Sequence, residues 1–286
     1  MPELPNAWLD SRWAPRLRAA VEAVSSAGAA LCALRGAHVE AREVETQLKT
    51  SVDLAAEGWV LGLLRGSFPE DRFLAEESHA AGHTWLGSKG ADAPSSGEPY
   101  WTVDALDGTR SYVEGYAGFC VQVAYVEGGR PVFGAIDEPL ARRCFVALEG
   151  GGAYELSRDG PCRLPPRVAA DWTGLPRFVD STLPRGVVGD LLREQSGQFV
   201  ECGSIGLKAC RVVQGAADVY AKAFRFRLWD VAPCEVLLRE TACSLRLWSG
   251  APIDYSGQSI EFSDLVAAPT GSMPALLARL GAPRSS

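Results

Sequence analysis

The sequence contains few histidines and no paired cysteine motif. Its 286 residues include eight cysteines and three histidines. No two cysteines form a C-x-x-C pair, and few histidines stand near them, so we expect neither a zinc site nor a disulfide framework. The cysteines are then reduced core thiols, and the histidines are expected at the surface: His38, His79 and His83.

Basic residues are fewer than acidic residues in this sequence. The chain has 28 Lys and Arg against 35 Asp and Glu, a net charge of −7. This balance argues against a protein that tracks a nucleic-acid polymer. Residues 1–10 lack a charged start followed by an apolar run, so no signal peptide is expected. Apolar stretches such as 119–126 are too short to span a bilayer, and we expect a cytoplasmic protein without a membrane partner.

The length and the order of the patterns predict a protein of two lobes. Residues 161–174 are rich in Pro, Arg and Gly, which places a boundary between an N-terminal lobe, 1–165, and a C-terminal lobe, 166–286. Helical patterns alternate with short strands, which predicts an α/β or α+β fold. We expect helices at 13–36, 53–64, 187–195, 207–214, 231–240 and 274–280. We expect strands at 73–75, 119–127, 131–136, 143–148, 177–180, 199–202, 219–221, 245–248 and 265–268. Residues 79–99 are expected to form a loop.

One stretch, residues 101–112, combines a short apolar strand, a tight Asp-Gly turn and a helix start. Asp104 and Asp107 stand at that turn and are followed at once by Gly108 and Thr109. Carboxylates beside free backbone N–H groups suit a hard cation together with an anionic ligand. An Asp-Gly turn with Thr109 as helix N-cap explains the same residues without a ligand.

Further acidic residues fall at the ends of other predicted elements. Carboxylates cannot crowd together unless a cation offsets their repulsion and desolvation. If the fold brings them together, their oxygen donors predict a cage for Mg²⁺; otherwise each is a solvated surface group. The residues concerned are Asp53, Glu76, Glu77, Asp104, Asp107 and Asp230.

Four motifs in the right order resemble the inositol monophosphatase superfamily of lithium-sensitive Mg²⁺ phosphatases. Residues 104–109, Asp-Ala-Leu-Asp-Gly-Thr, are similar to its D-P-[IL]-D-G-T signature. Residues 50–53 resemble T-x-A-D, residues 75–78 resemble G-E-E-[ST], and residues 229–233 resemble W-D-x-A-[AG]. Ala105 replaces the usual Pro, which loosens the turn without removing a ligand. The resemblance covers nearly the whole chain.

The resemblance implies a fold, a cofactor and a mechanism. The fold is the layered αβαβα sandwich of the inositol monophosphatase and fructose-bisphosphatase type, and members are often homodimers. Two or three Mg²⁺ ions are implied, one surrounded by Glu76, Asp104, the Leu106 carbonyl and Thr109, and another by Asp104, Asp107 and Asp230. Asp53 would orient the Thr109 hydroxyl as a base relay, so the implied catalytic residues are Asp53, Thr109 and Glu76. The N–H groups of Gly108 and Thr109 would hold the phosphate.

The resemblance leaves the small phosphorylated substrate open between branches. Residues 203–208 and 215–220 resemble the 3′(2′),5′-bisphosphate nucleotidases, which implies the 3′-phosphate of adenosine 3′,5′-bisphosphate, whereas residues 107–112 and 134–139 resemble histidinol phosphatases. Inositol phosphate and a pathway-specific nucleotide are further alternatives, and so is a catalytically silent ligand-binding relative. The substrate-side candidates are Arg110, Ser204 and Lys208. For Ser204 and Lys208, a helix N-cap and a solvated lysine are the plainer interpretation.

Overall fold

A computed structural model describes residues 2–36, 41–44, 47–87, 92–95, 97–169 and 176–281. The eight α-helices of this described part are α1 (Ala14–Leu34), α2 (Ser51–Ser67), α3 (Glu76–Ala80), α4 (Thr109–Val113), α5 (Gly186–Glu194), α6 (Ile205–Val213), α7 (Leu228–Glu240) and α8 (Met273–Leu280). Its fourteen strands are β1 (Ala41–Val44), β2 (Gln47–Thr50), β3 (Phe73–Ala75), β4 (Tyr100–Asp107), β5 (Cys120–Glu127), β6 (Arg130–Glu138), β7 (Arg143–Leu148), β8 (Gly152–Ser157), β9 (Gly160–Arg163), β10 (Arg177–Asp180), β11 (Gln198–Glu201), β12 (Tyr220–Arg227), β13 (Cys243–Leu247) and β14 (Glu261–Pro269).

The larger sheet has seven strands in the order β3-β4-β5-β6-β7-β8-β9. Only the β3–β4 pair within it is parallel. The predicted β5–β6 hairpin is confirmed, with Glu127 opposite Arg130. Gly128 and Gly129 both have positive φ, 62° and 72°, the backbone that a two-residue hairpin turn requires and that glycine adopts without strain.

The helices and sheets stack in five layers. Helices α1 and α2 pack on one face of the large sheet, and α6 and α7 pack on the other. The next layer is the sheet β12-β14-β13, which a bridge between Phe178 and Val219 joins to the parallel pair β10–β11. Helices α5 and α8 cover its outer face, in a cluster that includes Leu191, Val266 and Leu276. The layered αβαβα sandwich is therefore confirmed.

The two halves of the chain share a hydrophobic core. The seven strands of the large sheet and the small β1–β2 sheet all precede residue 165, and strands β10 to β14 all follow residue 176. One buried cluster nevertheless combines Tyr100 and Ile136 of the large sheet with Trp229 of α7 and Leu265 of β14. The division into lobes 1–165 and 166–286 stays a prediction.

Helix α1 is the one described segment long and apolar enough to cross a membrane on length and composition alone. The helix itself is predicted at 13–36, but the expectation that apolar stretches are too short to span a bilayer did not take account of its length. Nine of its 21 residues are buried, in a cluster that includes Val21, Val60 and Phe133. Packing of one helix face against the sheet accounts for this apolar composition.

Several local predictions need correction. Strands β8 and β9 were not predicted, and β12 is longer than expected. All eight cysteines are free thiols, but Cys162 is exposed and Cys32 partly so, so these two are not core residues. Among the histidines, His83 is exposed as predicted, whereas His79 is half-buried against Trp229, with ring centroids 5.4 Å apart. His38 and part of the loop 79–99 lie outside the described residues.

Candidate active site

The parallel pairing of β3 and β4 brings two acids side by side. Ala75 lies opposite Val103, so the next residues along the two strands, Glu76 and Asp104, are neighbours at the same sheet edge. Glu76 begins helix α3. The buried carboxylate of Glu57 accepts hydrogen bonds from the N–H groups of Glu77 (2.6 Å) and Ser78 (2.8 Å) and from the Ser78 hydroxyl (2.6 Å). Glu57 thereby fixes the turn that carries Glu76.

A strand irregularity turns Asp107 toward the same region as Asp104. Residues three apart on a regular strand point to opposite faces, but the β4–β5 register shifts between Asp104, opposite Gln122, and Asp107, opposite Cys120. The Gln122 Nε2 atom lies 3.3 Å from a carboxylate oxygen of each acid. Asp107 also accepts a 2.8 Å hydrogen bond from the Gly206 N–H of α6. Gln122 therefore joins the two acids.

Asp230, near the start of α7, completes the acidic group. Carboxylate oxygens of Glu76, Asp104 and Asp230 all lie within 4.8 Å of one another. The backbone N–H of Arg227 donates a 2.6 Å hydrogen bond to Asp230. Asp107 is not part of this closest group, because its carboxylate turns toward Gly206 and Gln122. We call Glu76, Asp104, Asp107 and Asp230 the acid cluster.

Burial and mutual repulsion disfavour negative charge in the acid cluster. Burial, the charges of Glu76 and Asp107 and other acids raise the pKa of Asp104 well above its usual range. Burial and the same two neighbours do so for Asp230. Burial raises the pKa of Asp107 to about 6, against the Gly206 hydrogen bond and the Lys208 charge, which lower it. Crowded oxygen donors that repel one another fit a hard divalent cation such as Mg²⁺, so this cluster could bind a metal.

A hydrogen-bonded chain of side chains runs beside the acid cluster. The Thr109 hydroxyl lies 2.7 Å from Asp53 Oδ1 and 3.2 Å from the Leu106 carbonyl oxygen. Its proton belongs to the shorter bond, toward Asp53. The other Asp53 oxygen accepts from the Thr50 N–H (2.8 Å) and the Thr50 hydroxyl (2.5 Å). Asp53 is 3% exposed, and its burial raises its pKa.

The turn after Asp107 requires glycine. Gly108 has φ of 95°, and a Cβ atom there would lie 2.4 Å from the Gly118 carbonyl oxygen. The short helix α4 starts at Thr109, but Gly108 is its N-cap, so the interpretation of Thr109 as the N-cap is wrong: its hydroxyl donates to Asp53 instead. Arg110, predicted to bind substrate, is exposed and lies 3.6 Å from the Glu114 carboxylate on the same helix.

Ser204 and Lys208, the other predicted substrate residues, are both buried. The Ser204 hydroxyl accepts a 3.0 Å hydrogen bond from the Leu207 N–H and so caps α6, as the plainer interpretation expects. Lys208 is 3% exposed, so the expectation of a solvated lysine is wrong. Its Nζ atom pairs with Asp180 at 3.2 Å. Burial lowers the pKa of Lys208, whereas the Asp180 charge raises it.

Asp180 also binds a second lysine that the sequence analysis missed. The Nζ atom of Lys222, on β12, lies 3.0 Å from the same Asp180 oxygen. Two ammonium groups therefore share one carboxylate, and with all three groups charged the trio carries one net positive charge. The Lys222 side chain is 31% exposed. We call Asp180, Lys208 and Lys222 the lysine pair site. No local pattern links these residues, so the sequence offers no signal for it.

The sandwich and the acid cluster together define the class: a phosphatase fold with a site able to hold a metal between its layers. The family model described as "Inositol monophosphatase family" matches residues 12–280. The chain therefore belongs to the inositol monophosphatase family.

Similarity to individual relatives is moderate but long. Human inositol monophosphatase 2 is 28% identical over 278 residues, which cover 93% of this chain and 90% of the relative. The 3′(2′),5′-bisphosphate nucleotidase CysQ of Salmonella typhimurium is 29% identical over 220 residues, 76% of this chain and 82% of that protein. The solved inositol monophosphatase of Anabaena (Nostoc) superposes with a TM-score of 0.71 at 25% identity, covering 93% of this chain and 94% of its own.

Proposed function

We propose that the chain is a Mg²⁺-dependent phosphomonoesterase acting on a small phosphorylated metabolite. The observation that carries the proposal is the convergence of Glu76, Asp104 and Asp230 within 4.8 Å, next to the 2.7 Å hydrogen bond between Thr109 and Asp53. Two or three Mg²⁺ ions held by Glu76, Asp104, Asp107, Asp230 and the Leu106 carbonyl would supply Lewis-acid activation and charge stabilisation for phosphoryl transfer.

The residues beside the acid cluster suit the movement of one proton. Thr109 donates its hydroxyl proton to Asp53, so its oxygen is left to accept a hydrogen bond from the attacking water. As that water attacks phosphorus, Thr109 takes its proton and passes its own to Asp53. Burial makes the Asp53 carboxylate more basic, which favours the transfer at neutral pH. The leaving oxygen takes up a proton from solvent, Asp53 returns its proton to solvent, and the phosphate and the alcohol leave the site.

For the substrate we propose adenosine 3′,5′-bisphosphate, cleaved at its 3′-phosphate. The lysine pair site supports an anionic leaving group, because its net positive charge would stabilise a second phosphate. Its Lys208 lies on the helix whose Gly206 N–H contacts Asp107, close enough for the Lys208 charge to lower the pKa of Asp107. The resemblance to CysQ supports the same substrate.

The other candidates differ in the charge of the leaving group. Histidinol carries an amine, which a positive subsite would repel. Inositol is neutral and would gain little from a positive subsite. Inositol phosphate is nevertheless the second candidate, because relatives such as human inositol monophosphatase 2 carry that name. A pathway-specific nucleotide would use Lys222 as the bisphosphate does, and a catalytically silent relative would release no phosphate.

The test is phosphate release with Mg²⁺ from adenosine 3′,5′-bisphosphate, inositol 1-phosphate and histidinol phosphate. We expect a clear preference for the bisphosphate. Lys222→Met should raise its KM at least tenfold while leaving inositol 1-phosphate turnover unchanged. Asp107→Asn should abolish turnover of all three. Preference for another ester would refute the bisphosphate, and no release from any phosphomonoester would refute the phosphatase.

We further propose a cytoplasmic homodimer that has no nucleic-acid polymer or membrane as its partner. The charge of −7 supports the absence of a nucleic-acid partner. Sedimentation of the purified protein tests the dimer, and cell fractionation tests the location.

A further inference from the structure

A second cleft, of about 890 Å³, is separate from the acid cluster. It lies between the second half of α1, the 3₁₀ turn Pro139–Ala141 and the turn between β8 and β9. Its volume is in the range of small-molecule sites. The lining includes three acids and three arginines: Glu3, Asp137, Asp159, Arg142, Arg143 and Arg158.

Asp137 is the buried charge of this cleft. It lies opposite Val121 on β5, so it points to the α1 face of the sheet, away from the face that carries Gln122. Asp137 is 7% exposed, and its carboxylate accepts a 3.3 Å hydrogen bond from the Ser25 hydroxyl. Burial and the Glu138 charge raise its pKa to about 7. Desolvation on this scale marks a carboxylate without a compensating cation.

Glycine on helix α1 makes room for this carboxylate. A Cβ atom at Gly28 would lie 2.3 Å from Asp137 Oδ2 and 2.8 Å from the Pro139 Cγ atom. The second oxygen of Asp137 therefore lies against the helix backbone at the edge of the cleft.

The arginines of the cleft do not neutralise Asp137. Arg143 pairs with Glu138 at 2.7 Å and Glu155 at 3.8 Å. Arg142 and Arg158 are exposed, and neither forms an ion pair within the described part of the chain. The cleft thus offers one buried carboxylate inside, and at its rim two arginines near the exposed acids Glu3 and Asp159.

We propose that this cleft binds a basic amino acid, with the ligand's cationic side chain at Asp137 and its carboxylate at Arg142 and Arg158. A guanidinium or ammonium would offset the desolvated carboxylate, with Ser25 completing its hydrogen bonds. The rim arginines match a carboxylate in geometry and charge.

Isothermal titration calorimetry of the full chain tests this with L-arginine, L-lysine and L-histidine, and with L-citrulline as the uncharged counterpart of arginine. We expect saturable binding of at least one basic amino acid and at least tenfold weaker binding of citrulline. Asp137→Asn should weaken the interaction at least tenfold. Gly28→Ala should do so as well, because it displaces the carboxylate without removing it.

Asp107→Asn serves as the matched control, since it changes an acid of the other site and should leave this binding unchanged. Thermal melting of each variant checks that the fold is intact. The inference is overturned if none of the three basic amino acids binds saturably. It is also overturned if Asp137→Asn, folded, binds within twofold of the unaltered chain.

Discussion

Replacing Asp107 by asparagine should stabilise the metal-free protein while abolishing its activity. Burial raises the pKa of Asp107 from 3.8 to about 6, so the folded chain holds a proton that the unfolded chain releases. The contribution of Asp107 to stability is then most favourable below pH 3.8, falls as the pH rises to 6, and stays lower above it. An amide has no charge to desolvate, and its oxygen can still accept the Gly206 N–H.

The magnitude follows from the pKa. At about 1.4 kcal/mol per tenfold change in acid constant, the rise from 3.8 to about 6 costs the folded state about 3 kcal/mol at pH 8. This is an upper value, because Asp107 is only partly buried and solvent screens part of the charge. We expect Asp107→Asn to gain about 1–3 kcal/mol of unfolding free energy in EDTA.

Urea unfolding at pH 8, in EDTA and in excess Mg²⁺, measures both effects. The unaltered chain should gain about 3 kcal/mol at a Mg²⁺ concentration a hundredfold above its Kd, and Asp107→Asn much less. Asp218→Asn is the contrasting control: Asp218 accepts bonds from Arg177 at 2.9 and 3.0 Å, so its amide should destabilise the fold. A less stable Asp107→Asn protein in EDTA would refute the electrostatic reasoning.

Three further substitutions test the rest of the site. Thr109→Val removes the hydroxyl bonded to Asp53 and should lower kcat by about 10²–10⁴-fold; a kcat within threefold at saturating Mg²⁺ would contradict the relay. Glu57→Gln weakens the contacts that hold the Glu76 turn and should weaken Mg²⁺ binding by about 10–100-fold by calorimetry; unchanged affinity would deny Glu57 this positioning role. Gly108→Ala places a Cβ atom against the Gly118 carbonyl oxygen and forces alanine into a positive φ. It should therefore lower the unfolding free energy by about 2 kcal/mol or more; an unchanged urea midpoint would contradict that strain.

Much of the architecture is visible in local patterns. The Gly128-Gly129 turn and the helix ending at Glu240 follow from turn chemistry and periodicity, which depend on neighbouring residues. Strands β8 and β9 escaped prediction because their residues are partly exposed and broken by glycine, so alternation is weak. Helix α1 escaped notice as an apolar segment because Arg and Glu interrupt its run.

The residues of the site also fall into those that local patterns predict and those that they do not. Its acids stand in short motifs, whereas their partners depend on tertiary contacts. Glu57 was within reach of the sequence, because it lies one helical turn after Asp53 and shares its face. Asp180 and Lys222 were not, because they are 42 residues apart and meet only through the smaller sheets. Thus local chemistry predicts which residues can react, and long-range packing decides what they select.

Because the register shifts between β4 and β5, the relative position of Asp104 and Asp107 depends on both strands. The six residues 104–109 cannot be grafted alone onto another scaffold, because without the offset that Gln122 and Cys120 impose, the two carboxylates would return to opposite faces. A designer would need to transfer β4 and β5 together.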